Sequence, residues 1–81
     1  MKTKTFVFDV KLEQTIEDIS PARVADALSV VCGDCFVSCN DNEIYVEFRR
    51  ESTELAFALE SAFQDIEAAG FDVLGIWIER E

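Results

Sequence analysis

The sequence has 81 residues, of which 49% are hydrophobic and 11% aromatic, with seven phenylalanines. This length predicts a single domain with one modest core over residues 1–81, and the composition excludes an intrinsically disordered chain. Seventeen carboxylates against seven Lys or Arg side chains give a formal charge of −10, which argues against direct binding to nucleic acid or to an anionic membrane.

The N-terminal residues 1–5 lead directly into alternating apolar positions, and no apolar run is long enough for a signal peptide or a membrane span. The number of cysteines is odd, which fits a reducing compartment better than an oxidising one. The sequence therefore predicts a cytoplasmic protein.

Apolar periodicity predicts the first strand and the first helix. Every second residue over 6–12 is apolar, which is typical of a strand with one buried face. Ser20 and Pro21 then supply an N-cap and a first-turn proline. Apolar residues recur at helical spacing after them, so we expect a helix over 21–32 that stops at Gly33.

The middle of the chain predicts a β-hairpin. Residues 35–39 can form a short strand, and the Asn-Asp-Asn sequence over 40–42 favours a tight turn. Residues 43–48 alternate again and form the second strand of the hairpin.

The last third of the chain predicts a second helix and a final strand. Ser52 or Thr53 can cap this helix, and Gly70 can end it. Residues 71–80 alternate and form the final strand. The apolar stripe of the helix consists of Leu55, Leu59, Ala62, Phe63 and Ile66.

The element order β-α-β-β-α-β predicts an α+β, ferredoxin-like fold, in which a four-stranded antiparallel sheet has both helices on one face. The other face, called the open face below, then meets water or a partner. We expect alternate side chains of each strand to face inward to the helices and outward on the open face. The predicted inward set is Phe6, Phe8, Cys35, Val37, Cys39, Val46, Phe48, Leu74 and Ile76, and the outward set is Val7, Asp9, Phe36, Ser38, Glu43, Tyr45, Glu47, Val73, Trp77 and Glu79.

The outward set combines an apolar centre with a carboxylate rim. Tyr45, Trp77 and Phe36 are aromatic, and large aromatic residues exposed together are typical of an interface. The alternative is that Tyr45 and Trp77 pack on each other and on their strand neighbours. Phe57 is a further candidate contact, because it lies about 200° around the second helix from Leu55 and hence away from the apolar stripe.

All three cysteines lie within residues 32–39, and two of them form Cys32-Gly33-Asp34-Cys35. A tetrahedral metal site needs four ligands, but the chain has three cysteines and no histidine. In a strand, the sulfurs of Cys35 and Cys39 would lie about 13 Å apart. A reactive C-x-x-C pair usually lies at a helix N-terminus, whereas Cys32 lies at a predicted C-terminus. We therefore expect packing thiols, with no metal and no cofactor.

Known catalytic arrangements of residues are absent from the sequence. Without histidine there is no ordinary proton shuttle near neutral pH, and the serines and cysteines have no identifiable base. The three glycines are too far apart for a phosphate-binding loop. We expect a protein that is not an enzyme.

Two segments resemble a known family. Residues 45–51, Tyr-Val-Glu-Phe-Arg-Arg-Glu, and residues 61–70, Ser-Ala-Phe-Gln-Asp-Ile-Glu-Ala-Ala-Gly, are similar to the N-terminal domain of small bacterial helix-turn-helix, antitoxin-like DNA-binding proteins. The turn Cys32-Gly33-Asp34 falls where many members have a Cys-Asp-Asp-like turn. Those proteins continue into a helix-turn-helix, whereas this sequence ends at Glu81. The resemblance therefore implies a free-standing accessory domain that binds protein, and DNA binding is not carried over.

Size, charge and predicted fold also resemble those of phage-encoded inhibitors that cover a nucleic-acid-binding surface, including anti-CRISPR proteins. Closely spaced carboxylates can occupy a Lys/Arg groove built for phosphates, and complementary charge speeds association. The competing interpretation is that acidity only keeps the protein soluble. Carboxylates on the helical side provide a second candidate surface, made of Asp26, Glu60, Asp65 and Glu67.

The sequence thus predicts an acidic protein-binding module that blocks a basic, nucleic-acid-binding protein, as a DNA mimic or anti-CRISPR-like inhibitor does. The alternative is a regulatory or antitoxin-like domain that forms a homodimer or binds a cognate partner. A small-molecule-sensing domain is a third class, without a supporting ligand motif. The predicted partner-binding residues are Asp9, Phe36, Glu43, Tyr45, Glu47, Phe57, Trp77 and Glu79.

Overall fold

The computed structural model describes residues 2–78, and the six elements follow the predicted order. The four strands form one antiparallel sheet in the order β2-β3-β1-β4, so the predicted α+β, ferredoxin-like fold is confirmed. The strands are β1 (Lys4–Thr15), β2 (Cys35–Asn40), β3 (Glu43–Ser52) and β4 (Val73–Ile78), and the helices are α1 (Pro21–Val31) and α2 (Leu55–Ala68).

Both helices cover the same face of the sheet and enclose one hydrophobic core. At its centre Phe8 of β1 and Phe48 of β3 stack with their ring centroids 5.5 Å apart. Each fully buried side chain of this size contributes about 1.5–3 kcal/mol relative to leaving it in water. The other core residues are Val10, Leu12, Val24, Leu28, Ile44, Val46, Ala58, Ala62, Ile66 and Phe71. No helix within residues 2–78 has the length and apolar character needed to cross a membrane.

The β2–β3 connection is a two-residue turn. Asp41 and Asn42 have positive φ angles of 49° and 73°, and their neighbours Asn40 and Glu43 are paired across the hairpin. Two successive positive φ angles are typical of a type I′ turn, whose twist matches that of the flanking strands. The turn fixes the register of β2 on β3 and therefore decides which side chains of β2 reach the open face.

The C-terminus of α2 is closed by a glycine. Gly70 has φ of 93°, and its N–H donates to the carbonyl of Glu67 at 3.0 Å. The N–H of Phe71 donates to the carbonyl of Ile66 at 3.1 Å. These two bonds form a Schellman motif, which needs the left-handed conformation that glycine adopts without strain. The chain then turns into β4, as the sequence predicts.

The helix boundaries differ slightly from the predictions. Ser52 is the last residue of β3, and α2 is preceded by Glu54, whose side chain makes no capping hydrogen bond. The predicted cap at Ser52 or Thr53 is therefore wrong, because β3 continues past its last core residue and includes Ser52. Helix α1 ends at Val31, and Cys32 follows it in an extended conformation.

A β-bulge in β4 overturns one part of the predicted face assignment. Gly75 lies opposite Lys11 of β1, but the next pair joins Val73 to Leu12, so Leu74 is an extra residue in β4. Because one extra residue reverses the alternation, Val73 packs against the core and Leu74 is exposed, which is the opposite of the prediction.

Candidate functional site

A row of four side chains, one from each strand, crosses the open face of the sheet. Phe36 of β2 lies opposite Glu47 of β3. Glu47 lies opposite Asp9 of β1, and Asp9 lies opposite Trp77 of β4. Neighbouring strands lie about 4.8 Å apart, so this row spans roughly 14 Å. We call these four residues the cross-strand row; it has two carboxylates at its centre and an aromatic residue at each end.

The aromatic ends of the cross-strand row are accessible. Phe36 is 68% exposed and Trp77 is 52% exposed. Tyr45 meets the ring of Trp77 edge-on, with the ring centroids 5.9 Å apart. A Cβ atom at Gly75 would lie 3.4 Å from the Trp77 ring, so the glycine leaves room for that ring above the sheet. Tyr45 and Trp77 therefore pack on each other, as the alternative predicts, and half of Trp77 still faces solvent.

Beside the cross-strand row, Glu43 holds two neighbouring side chains. It accepts a 2.6 Å ion-pair contact from Lys11 Nζ and a 2.7 Å hydrogen bond from the Tyr45 hydroxyl. These bonds hold the pKa of the Glu43 carboxyl below its usual value. The hydrogen bond with Glu43 also raises the pKa of Lys11 and that of Tyr45. The Glu43 carboxylate therefore fixes the phenol ring beside Trp77.

Glu47 has a weaker neighbour of opposite charge. Arg49 Nε lies 3.4 Å from a Glu47 carboxylate oxygen, and the Arg49 side chain is 64% exposed. An exposed pair of this kind contributes less than about 1 kcal/mol and exchanges easily for another partner. The predicted outward set does not include Arg49 or Lys11. Each of them lies two residues after an acidic member of that set, so the same alternation places it on the open face. The open face is therefore less acidic than predicted.

A second charged cluster lies on the helix side of β3. The Arg50 guanidinium donates to both carboxylate oxygens of Asp34, at 2.7 and 2.8 Å, and to the hydroxyl of Ser61 at 3.1 Å. It also lies 2.9 Å from a carboxylate oxygen of Asp65 and stacks over the Phe48 ring at 4.9 Å. This cluster links the α1–β2 loop, β3 and α2, and the sequence prediction missed it.

The Asp34–Arg50 pair predicts a pH dependence of stability. The hydrogen bonds from Arg50 lower the pKa of Asp34 below its usual value of 3.8. A lowered folded-state pKa means that the contribution of Asp34 is complete above 3.8 and is lost as the pH falls below that value. We expect the free energy of unfolding, measured by urea titration between about pH 6 and about pH 3, to fall less steeply in Asp34→Asn than in the wild type.

The Lys11–Glu43 pair is present in both proteins and cancels in the comparison, and high salt reduces the remaining long-range charge effects. Equal pH slopes for the wild type and Asp34→Asn in high salt would contradict the contribution assigned to Asp34.

Two of the three cysteines lie in contact with each other. The sulfurs of Cys32 and Cys35 lie 3.5 Å apart, and Cys39 is exposed on the same side of β2. Burial, followed by the neighbouring Cys32 and Asp34, raises the pKa of Cys35 to about 12. Within residues 2–78, no group of three or more Cys, His, Asp or Glu side chains converges as metal ligands.

The structure brings together six of the eight predicted partner-binding residues. Phe57 lies on α2, on the opposite side of the sheet, where it is 55% exposed and borders a shallow cleft with Glu60 and Gln64. Glu79 lies outside the described residues. The six residues on the open face are Asp9, Phe36, Glu43, Tyr45, Glu47 and Trp77.

The chain matches no protein-family model, and comparisons with curated proteins and with solved structures give no match. The resemblances to antitoxin-like DNA-binding proteins and to anti-CRISPR inhibitors therefore stay predictions.

Proposed function

We propose that the protein is a non-enzymatic, acidic binding module whose open face docks onto a basic, nucleic-acid-binding protein surface and blocks it. The observation that carries this proposal is the cross-strand row, in which Asp9 and Glu47 lie opposite each other between Phe36 and Trp77.

The row suits a cationic side chain of the partner. Like charges on directly opposite strand positions are unfavourable, so a Lys or Arg side chain placed near Asp9 and Glu47 gains from both carboxylates. A guanidinium can also stack on the exposed ring of Trp77 or Phe36. The exposed Arg49 of the same face is the intramolecular competitor that such a group would displace from Glu47.

The charge of the whole chain favours a basic partner. A formal charge of −10 attracts a cationic surface over a distance and speeds the encounter. Protein surfaces that bind phosphates carry clustered Lys and Arg side chains, which supports a nucleic-acid-binding protein as the target class. Blocking that surface would make the protein an inhibitor of the DNA-mimic kind.

A regulatory module that forms a homodimer is the second candidate. It is favoured by β4, an outer strand of the sheet with three exposed large apolar residues, Leu74, Trp77 and Ile78. Two copies would each carry −10, so higher salt should strengthen their association. Higher salt should weaken binding to a basic partner, and this opposite dependence separates the two candidates.

The test is affinity capture from the source cell with three immobilised proteins: the wild type, Glu47→Lys and Glu60→Lys. Glu60 is an exposed carboxylate on α2, so both reversals change the net charge equally but only one alters the open face. We expect the wild type and Glu60→Lys to retain a basic, nucleic-acid-binding protein at low salt and to release it at high salt. Glu47→Lys should not retain it.

Two outcomes would contradict the proposal. Equal loss of the captured protein with both reversals would assign binding to overall charge and not to the open face. Capture of no basic or nucleic-acid-associated protein at low salt would overturn the choice of partner.

A further inference from the structure

The thiols of Cys32 and Cys35 are placed for reaction with each other. Their sulfurs are 3.5 Å apart, while a disulfide bond is about 2.05 Å long. Cys32 follows α1 in an extended conformation, and Cys35 is the first residue of β2. Both side chains are half-buried at the corner between these elements. Small side-chain rotations would therefore bring the sulfurs to bonding distance.

The backbone on both sides of the pair is anchored. The N–H of Cys32 donates to the carbonyl of Leu28 at 2.9 Å, and the carbonyl of Asp34 accepts from the N–H of Arg49 at 3.0 Å. The Asp34 carboxylate is held by both bonds from Arg50. Because the loop is fixed at both cysteines, folding holds the two sulfurs together in advance of any reaction.

We infer that Cys32 and Cys35 form a reversible dithiol–disulfide site that reacts with low-molecular-weight disulfides of the glutathione type. One protein thiolate attacks the small disulfide, which gives a mixed disulfide and one small thiol. The second protein thiolate attacks the protein sulfur of that mixed disulfide, which closes the Cys32–Cys35 bond and releases the second small thiol. The protein loses two electrons and two protons, and the small disulfide gains them as two thiols.

Burial raises the pKa of Cys35 to about 12, so little of this thiol is ionised near neutral pH and the reaction is slow there. A surface cleft of about 310 Å³ gives the small disulfide access, and it is bordered by both cysteines, Gly33, Phe36, Ala25 and Ser29.

Cys39 is a natural reference within the same strand. It is four residues beyond Cys35, which places the two about 13 Å apart along β2. It is exposed and cannot reach Cys35 without unfolding of the strand. We therefore expect Cys39 to form only mixed disulfides with small thiols, and we remove it in the test to keep the reaction at one site.

The experiment uses the full-length Cys39→Ser protein, equilibrated with mixtures of reduced and oxidised glutathione. After acid quench and alkylation, mass spectrometry should find a product that has lost two hydrogen atoms and carries no glutathione. Protease cleavage before Asp34 should leave the Cys32 and Cys35 peptides linked. The matched Cys35→Ser/Cys39→Ser protein, which keeps only Cys32, should instead carry one glutathione.

A second measurement tests whether folding prepares the site. The equilibrium constant for disulfide closure should be at least about tenfold larger in the folded protein than in the same protein in urea. In Asp34→Ala/Cys39→Ser this ratio should fall, because the loop loses its anchor to Arg50.

Either of two results would overturn the inference: glutathione adducts on both cysteines of folded Cys39→Ser without a closed disulfide, or equal closure constants in the folded and unfolded protein. Both results are independent of what the open face binds.

Discussion

Replacement of Arg50 by alanine should lower the free energy of unfolding by about 3 kcal/mol. The Arg50 side chain is only 12% exposed and joins Asp34, Asp65 and Ser61 while it lies on the Phe48 ring. Without it, two carboxylates from different parts of the chain remain near each other with no cation between them, and the core loses a covering side chain. Urea titration near neutral pH measures the loss.

The adjacent residue provides the matched control for this prediction. Arg49→Ala removes the same chemical group from the other face of β3, where Arg49 is 64% exposed and contacts Glu47 at 3.4 Å. Its expected cost is about 0.5 kcal/mol or less. A cost for Arg50→Ala no larger than that for Arg49→Ala would show that the Asp34–Arg50–Asp65 cluster does not stabilise the fold.

Replacement of Trp77 by alanine should weaken binding to the captured basic protein about thirtyfold, or about 2 kcal/mol. Trp77 offers half of its ring to a partner and ends the cross-strand row beside Asp9. Aromatic residues in this position account for a large share of interface energy, because they bury much area with few rotatable bonds. Isothermal titration calorimetry with the purified partner gives both dissociation constants.

Phe57→Ala is the corresponding control, because Phe57 is 55% exposed but lies on α2. Its dissociation constant should match that of the wild type. If Phe57→Ala weakens binding and Trp77→Ala does not, the partner docks on the helices and the open face is not the site.

Most of the fold could be predicted, because its strands and helices bury side chains at regular intervals that can be read from the sequence. The alternating residues of β1 and β3 mark the inward side chains directly, and the Asn-Asp-Asn segment marks the hairpin turn at Asp41 and Asn42. The bulge in β4 could not be found this way. Val73 and Leu74 are both apolar, so the alternation does not show which of them faces the core.

The candidate site was only partly predictable for a different reason. Alternation assigned Asp9, Glu47 and Trp77 to one face, but only strand order and register place them in a single row. The same limit applies to Arg50. It follows the alternation of the inward residues of β3, but its partner Asp34 lies sixteen positions earlier in the chain, and alternation does not show that the two meet. The distance between Cys32 and Cys35 likewise depends on the extended backbone at Cys32, which the C-x-x-C spacing does not specify.

The bulge in β4 also bears on whether another chain can add a strand at this edge of the sheet. A regular outer strand offers a continuous ladder of N–H and C=O groups to which another chain can add a strand. In β4 the extra residue Leu74, the second residue of a six-residue strand, interrupts the regular pairing. Within the described residues, regular pairing in β4 is limited to positions 75–78, which is a shorter template for an added strand than an unbroken edge. This arrangement favours a partner that approaches Trp77 across the surface of the sheet over one that extends the sheet sideways.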